Sequence, residues 1–441
     1  MDHLEDLPKS KQNKALALST LSFATCFAVW TIFSIIGIQL QEDLGLNETQ
    51  FGLLIGTPIL TGSLTRIFLG IWADQYGGRI VFVSVMILAA IATILLSQTE
   101  TYLMALLAAL GLGLAGGSFA VGIAYVSKWY PAGKQGIALG IFGVGNVGAG
   151  VTMFAAPIVL VAFGWQAVAQ IWAAALATMA IIFWLTTEDD PEFKKRKESG
   201  GKHKSFIEQL EPLKNPQVWR FSIYYFFVFG GFVALSLWLP RYLIGVYDVN
   251  IQTAGILAAI FAIPASLFRA YGGHLSDKYG ARTMMYVTFS MSILCTFILS
   301  YPKTDYIVHG IEGPISFSAS TGLVPFVSLT FVFGSFMSMG MAAVFKHIPA
   351  YYPEHVGAVG GLVGMIGGLG GFVMPLSFGV MNDITGIWTS CFMLMFAIVT
   401  ISILWMHQAI HKMETDALRE RFVELPELPE MLEFDKIKLD N

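Results

Sequence analysis

Charge is what this sequence has least of. Asp, Glu, Lys and Arg make up 13% of its 441 residues, against 55% hydrophobic residues. Soluble domains carry roughly 25% charged residues. That deficit excludes a water-soluble globular enzyme and implies a chain threaded repeatedly through a membrane. A basic excess is also missing: 26 Lys and Arg face 30 Asp and Glu, for a net charge of -4. A nucleic-acid partner, which needs a basic face, is therefore not expected. The three cysteines, Cys26, Cys295 and Cys391, lie far apart in apolar runs, without metal spacing, and read as small buried hydrophobes. No His-Glu-x-x-His, no Ser/His/Asp set at membrane depth and no paired acids occur, so neither an enzyme nor a cofactor is expected.

What is present is apolar length. A membrane-spanning helix needs ~20 apolar residues, and twelve stretches qualify, near 15–40, 51–74, 80–98, 102–128, 136–162, 165–186, 217–244, 251–276, 282–301, 321–348, 357–381 and 385–408. The first is too long for a signal peptide and reads as a retained helix. Two connections are longer than the rest. Thr187 to Pro216 contains the run Lys194-Lys-Arg-Lys197 with Lys202 and Lys204, whereas Pro302 to Ser320 is only mildly charged. Basic residues gather on alternate connections, at Lys9, Lys11, Lys14, Arg79, Lys128, Lys134, the 194–204 run, Lys278, Arg282 and Lys412. That side is expected to be cytoplasmic, with both termini on it, in an inner membrane.

A repeat organises the chain. Gly62-Ser-Leu-Thr-Arg66-Ile-Phe-Leu-Gly70-Ile-Trp-Ala-Asp74-Gln-Tyr-Gly77-Gly-Arg79 returns as Ala265-Ser-Leu-Phe-Arg269-Ala-Tyr-Gly-Gly273-His-Leu-Ser-Asp277-Lys-Tyr-Gly280-Ala-Arg282. The fold class expected is an all-α membrane protein of twelve transmembrane helices in two six-helix pseudo-symmetric halves, an architecture of transporters. Residues 1–186 form the first bundle, 187–216 a cytoplasmic linker, 217–410 the second bundle and 411–441 a polar cytoplasmic tail, partly helical at most. The pattern Gly-x-x-x-Asp-x-x-Gly-x-Arg at the end of each repeat resembles the signature loop of the major facilitator superfamily. That resemblance implies that Asp74, Arg79, Asp277 and Arg282 serve gating and assembly rather than substrate binding.

Depth singles out the arginines. Arg66 and Arg269 each precede the loop aspartate by eight residues, which is ~12 Å along a helix in a hydrocarbon core of ~15 Å half-thickness. A charge at that depth costs at least ~2.5–3.5 kcal/mol on insertion scales and normally marks a substrate or ion path. No Asp or Glu lies deep within any span, so the missing counter-ion is expected to be an anionic ligand. Asn146 stands about ten residues into its own span, at similar depth, and offers both donors and an acceptor.

The resemblance then narrows. Gly143-Val-Gly145-Asn146-Val-Gly148 and Gly364-Met-Ile-Gly367-Gly-Leu-Gly370-Gly371 are similar to the paired glycine-rich signatures of the nitrate/nitrite porter family, and the two arginines match that family's substrate-binding pair. The resemblance implies that Arg66 and Arg269 clamp a small planar oxyanion, that Asn146 adds hydrogen bonds beside Gly145 and Gly367, and that aromatic rings sandwich the ion. Tyr225, Phe27 and Phe119 are the candidates for those rings by position. It also implies a monomer.

Coupling is expected to run through Lys346, near the cytoplasmic end of the tenth span, because a lysine whose pKa falls on burial can carry a proton. Its Phe-Lys-x-x-Pro setting resembles the proton-coupled branch of the family. The expected function is nitrate transport, with nitrite as a possible second substrate, by alternating access and proton symport. Nitrate/nitrite exchange, a facilitator for another small oxyanion or carboxylate, and a nitrate sensor are the alternatives.

Overall fold

The computed structural model describes residues 8–191, 193–195, 214–351 and 356–423. Among them are twelve helices long and apolar enough to cross a membrane. They are α1 Lys9–Leu44, α2 Glu48–Tyr76, α3 Gly78–Leu96, α4 Tyr102–Ser127, α5 Ile137–Phe163, α6 Trp165–Thr186, α7 Pro216–Tyr247, α8 Ile251–Tyr279, α9 Ala281–Leu299, α10 Leu323–Ile348, α11 Val359–Thr385 and α12 Ser390–Thr415. Each expected stretch holds one of them. The helix of α12 runs on to Val423, well into the expected polar tail. Lys197, Lys202 and Lys204 of the basic linker, and residues 424–441 of the tail, lie outside the described residues.

Local sequence sets the helix ends. Asn47 starts α2 with a reciprocal cap: its side chain accepts from Gln50 N–H, and the Gln50 side chain accepts from Asn47 N–H. Gly77 and Gly280 close α2 and α8 at φ 96° and 87°. Residues with a side chain rarely adopt that conformation, and it lets the chain reverse into α3 and α9 within one residue.

Four helices depart from regular winding near their middles; α1 is interrupted at Thr31–Ile32, and the other three change pitch. α4 tightens to three residues per turn over Gly113–Gly117, α5 does so over Val144–Val147, and α7 widens over Phe226–Gly230. Such turns re-aim backbone groups and side chains and recur at functional sites. All three distortions border the central site described below.

The halves α1–α6 and α7–α12 meet chiefly along α2 against α11 and α5 against α8. Glycines make these approaches possible. A side chain at Gly52 would strike the Pro375 carbonyl of α11, and one at Gly255 would strike the Met153 carbonyl of α5. Most of the glycine density in these helices is thus packing.

One feature was not expected. The connection from α9 to α10 is an antiparallel hairpin, β1 Thr304–Gly310 and β2 Gly313–Ala319, with Thr304 opposite Ala319 and Gly310 opposite Gly313. It lies at the end of the molecule away from the loop motifs. The two ends are called here the hairpin end and the motif end.

Candidate functional site

The two arginines sit on α2 and α8, buried to 2% and 7% exposure. Among the described residues neither forms an ion pair. Arg66 is held by carbonyls. Its Nε donates to Gly116 O at 3.3 Å and its Nη1 donates to Gly364 O at 2.7 Å. Gly116 lies in the tightened turn of α4. Gly364 belongs to α11, so this bond crosses between the halves at mid-depth. Arg269 donates from Nη2 to the Tyr225 hydroxyl at 3.2 Å, while its Nη1 has no partner.

Aromatic rings enclose the pair. The Phe119 ring centre lies 5.3 Å from Arg66 Cζ and 5.6 Å from Arg269 Cζ, so one ring spans both cations. Trp30 and Phe229 complete the wall around Arg66 at 5.5 and 5.1 Å, and Phe345 faces Arg269 at 6.0 Å. Tyr225 stacks on Phe229 with the planes 7° apart. Phe27 is not in this wall. It stands one layer behind, its ring 5.2 Å from Trp30 and 5.7 Å from Phe23.

Asn146 rides on the tightened turn of α5, 1% exposed, with Oδ1 unpartnered. The neighbouring glycines seat rings: a side chain at Gly145 would strike Phe23, and one at Gly367 would strike Tyr225. Gly143 brings α5 to the second arginine, with an added Cβ only 3.1 Å from Arg269 Nε. Sequence reasoning missed Trp30, Phe229 and Phe345. Phe229 follows Tyr225 by four residues and so shares its helical face, which was the one legible signal. Trp30 and Phe345 come from other helices and carried none.

The loop-motif residues pair within their own halves, and do so in matching fashion. Asp74 meets Lys128, just past the end of α4, at 2.7 Å, while Arg79 donates to Trp184 O at 2.5 Å and lies 4.2 Å from the Trp184 ring centre on α6. In the second half Asp277 meets Lys346 of α10, and Arg282 meets Glu414 on the α12 helix at 2.7 Å. Lys346 is 37% exposed and sits in Lys346-His-Ile-Pro349, as Lys128 sits in Lys128-Trp-Tyr-Pro131. The candidate proton carrier is thus the repeat counterpart of an ion-paired lysine in the first half.

At the hairpin end the halves are tied together. Arg241 Nη2 lies 2.5 Å from Glu48 Oε1 and stacks over Trp388 at 5.1 Å. Asp383 of α11 accepts from the backbone of Glu48 and Thr49. No ion pair joins the halves at the motif end among the described residues.

The chain that builds this site is similar to known proteins along most of its length. The major facilitator superfamily model matches residues 18–325. A probable nitrate/nitrite antiporter, NarK1, of Thermus thermophilus is 41% identical over 413 residues, 91% of this chain and 92% of that one. The chain belongs to the nitrate/nitrite porter family of the major facilitator superfamily. This makes the porter a transporter and not an enzyme. It is also 31% identical to the nitrite extrusion protein of Bacillus subtilis, over 90% of this chain and 95% of that one. A probable nitrate transporter, NarT, of Staphylococcus carnosus is 32% identical over 90% and 96%. Among solved structures, a bacterial homolog of the human lysosomal transporter Spinster, inward-facing and unoccupied, superposes with a TM-score of 0.70. It shares 17% identity, over 91% of the porter and 98% of that chain, a likeness of fold alone.

Proposed function

We propose that this porter carries nitrate, and nitrite, across the bacterial inner membrane by alternating access. Residues 1–186 and 217–410 act as the two rocking bundles, joined by the 187–216 linker, in a monomer with both termini cytoplasmic. The observation that carries this is the pair of buried arginines with no acidic partner among the described residues, one of them with an Nη1 that no group there accepts from. A flat guanidinium fork fits a flat oxyanion through charge-assisted bonds. Tyr225 orients Arg269 through its hydroxyl, and the Phe119 ring lies against both guanidinium groups. The names of the relatives, one specifying nitrate and nitrite, one nitrite and one nitrate, support the substrate class.

The same charges account for obligatory coupling between binding and movement. An empty site with two cations in low dielectric resists closure from both sides. A bound anion offsets part of that charge and permits the rocking step. The basic connections at the motif end support a cytoplasmic placement of that end. With the halves tied at the hairpin end, the molecule is closed on the opposite side.

Proton symport through the Lys346–Asp277 pair is the first coupling mode, since moving a negative charge inward against 100 mV costs ~2.3 kcal/mol and calls for more than one proton per anion. Nitrate/nitrite exchange is the second. It is favoured by the matching Lys128–Asp74 pair, which gives Lys346 a structural role. Uptake into proteoliposomes decides both points. Nitrate uptake driven by a pH or voltage gradient supports symport, and uptake that ignores both but requires internal nitrite supports exchange. Arg66→Lys is expected to abolish uptake, by at least ~10²-fold, because lysine keeps the charge but not the fork; near-normal uptake would refute the clamp.

A further inference from the structure

Ser63 and Ser266 occupy the same place in the two repeats, three residues before Arg66 and Arg269. Both are buried, at 0% and 1% exposure. Their hydroxyls are used differently. Ser266 Oγ donates to Ala262 O at 2.8 Å, the local bond a serine commonly makes inside a helix. Thr65, on the same helix as Ser63, likewise donates to Thr61 O at 2.8 Å. Ser63 Oγ makes no hydrogen bond among the described residues.

Its position indicates what the free hydroxyl serves. Residues three apart share a helical face, ~4.5 Å from one another along the axis. Ser63 and Arg66 both press on Gly368 of α11: a side chain there would strike Ser63 Oγ and come 3.4 Å from Arg66 Nη1. The hydroxyl therefore stands beside the guanidinium, on the side of the site nearer the hairpin end.

We infer that Ser63 donates a further hydrogen bond to the anion held by the arginines, and that this bond favours an anion with three oxygens over one with two. This rests on the central site being an anion site. A trigonal oxyanion gripped through two oxygens turns its third outward to a neighbouring donor, whereas nitrite has no third oxygen. The first half alone supplies this donor, because the Ser266 hydroxyl is already committed.

The test is nitrate and nitrite uptake by purified full-length Ser63→Ala, Ser63→Cys and Ser266→Ala porters in proteoliposomes. A hydrogen bond to a charged ligand corresponds to roughly 10- to 100-fold in affinity. Ser63→Ala is expected to raise the nitrate KM by about that factor and the nitrite KM much less, with maximal rates kept. Ser266→Ala is expected to leave both unchanged. A purely structural role, in which Ser63 only spaces α2 from α11, alters both anions alike; an unchanged nitrate-to-nitrite KM ratio in Ser63→Ala overturns the inference. Ser63→Cys keeps the volume and donates weakly, so the same ratio is read from it if the alanine porter does not fold. Failure of the anion site itself would show separately, as nitrate uptake that survives Arg66→Lys.

Discussion

The carboxylate of Asp383, near the end of α11, accepts from the backbone N–H of Thr49 at 2.8 Å, in the first turn of α2 in the opposite half. It also accepts from Glu48 N at 3.1 Å and from the Thr49 hydroxyl at 2.5 Å. One half of the molecule thus caps a helix N-terminus in the other, where a negative charge is favoured by the exposed N–H groups and the helix dipole. Together with Glu48 and Arg241 it forms the tie that must release before the hairpin end can open.

Asp383→Asn removes the charge and keeps the shape. Hydrogen bonds to charged groups contribute about 1.5–3 kcal/mol, so the ratio of hairpin-open to hairpin-closed molecules is expected to rise on the order of tenfold. Distances between spin labels placed at Leu46 and Ile387 read this directly. An unchanged distance distribution would show that the cap contributes little to closure.

Gly367→Ala drives a methyl group into the Tyr225 ring. The ring must move, and the Tyr225–Arg269 bond goes with it. Nitrate binding, measured by isothermal titration of the purified porter, is expected to weaken at least ~10-fold, more than in Tyr225→Phe, which loses the hydroxyl but keeps the ring.

Lys346→Met breaks the pair with Asp277, and Lys128→Met breaks its counterpart with Asp74. Under symport through Lys346, Lys346→Met is expected to lose pH-driven nitrate uptake and keep nitrate/nitrite exchange, while Lys128→Met keeps both. Equal effects of the two variants on every mode would assign both lysines to scaffolding.

Glu188, just past α6, accepts from Lys11 Nζ at 2.8 Å and Lys194 Nζ at 3.0 Å. These bonds hold its carboxyl well below its ordinary value of 4.5, at about 2. A depressed folded-state pKa contributes stability that is present above the unfolded value and lost as pH falls through the folded one. The melting temperature of the wild type is therefore expected to exceed that of Glu188→Gln at neutral pH, and the gap to shrink from about pH 4.5 down toward about pH 2. The side chain is 47% exposed, so solvent screening keeps the gap small. A gap independent of pH would show that the pair is not the cause.

The sequence by itself determined the twelve helices, their division into two repeats and the depth of Arg66, Arg269 and Asn146. Hydropathy and rise per residue depend on local composition and spacing, and these survive without coordinates. The hairpin at 304–319 escaped although Ile315-Ser-Phe317-Ser-Ala319 alternates, because its strands are exposed on both faces and bury no core that would mark them apart from a loop between spans. Tertiary structure alone decided which groups surround the arginines: the Gly116 and Gly364 carbonyls, Trp30, Phe229 and Phe345 arrive from separate helices. It set Phe27 behind that wall, paired Lys346 with Asp277, and left Ser63 free while Ser266 was satisfied. Each of these depends on how two helices meet. A meeting is fixed by glycine-permitted approach and by distorted turns in α4, α5 and α7, which a one-dimensional pattern does not record.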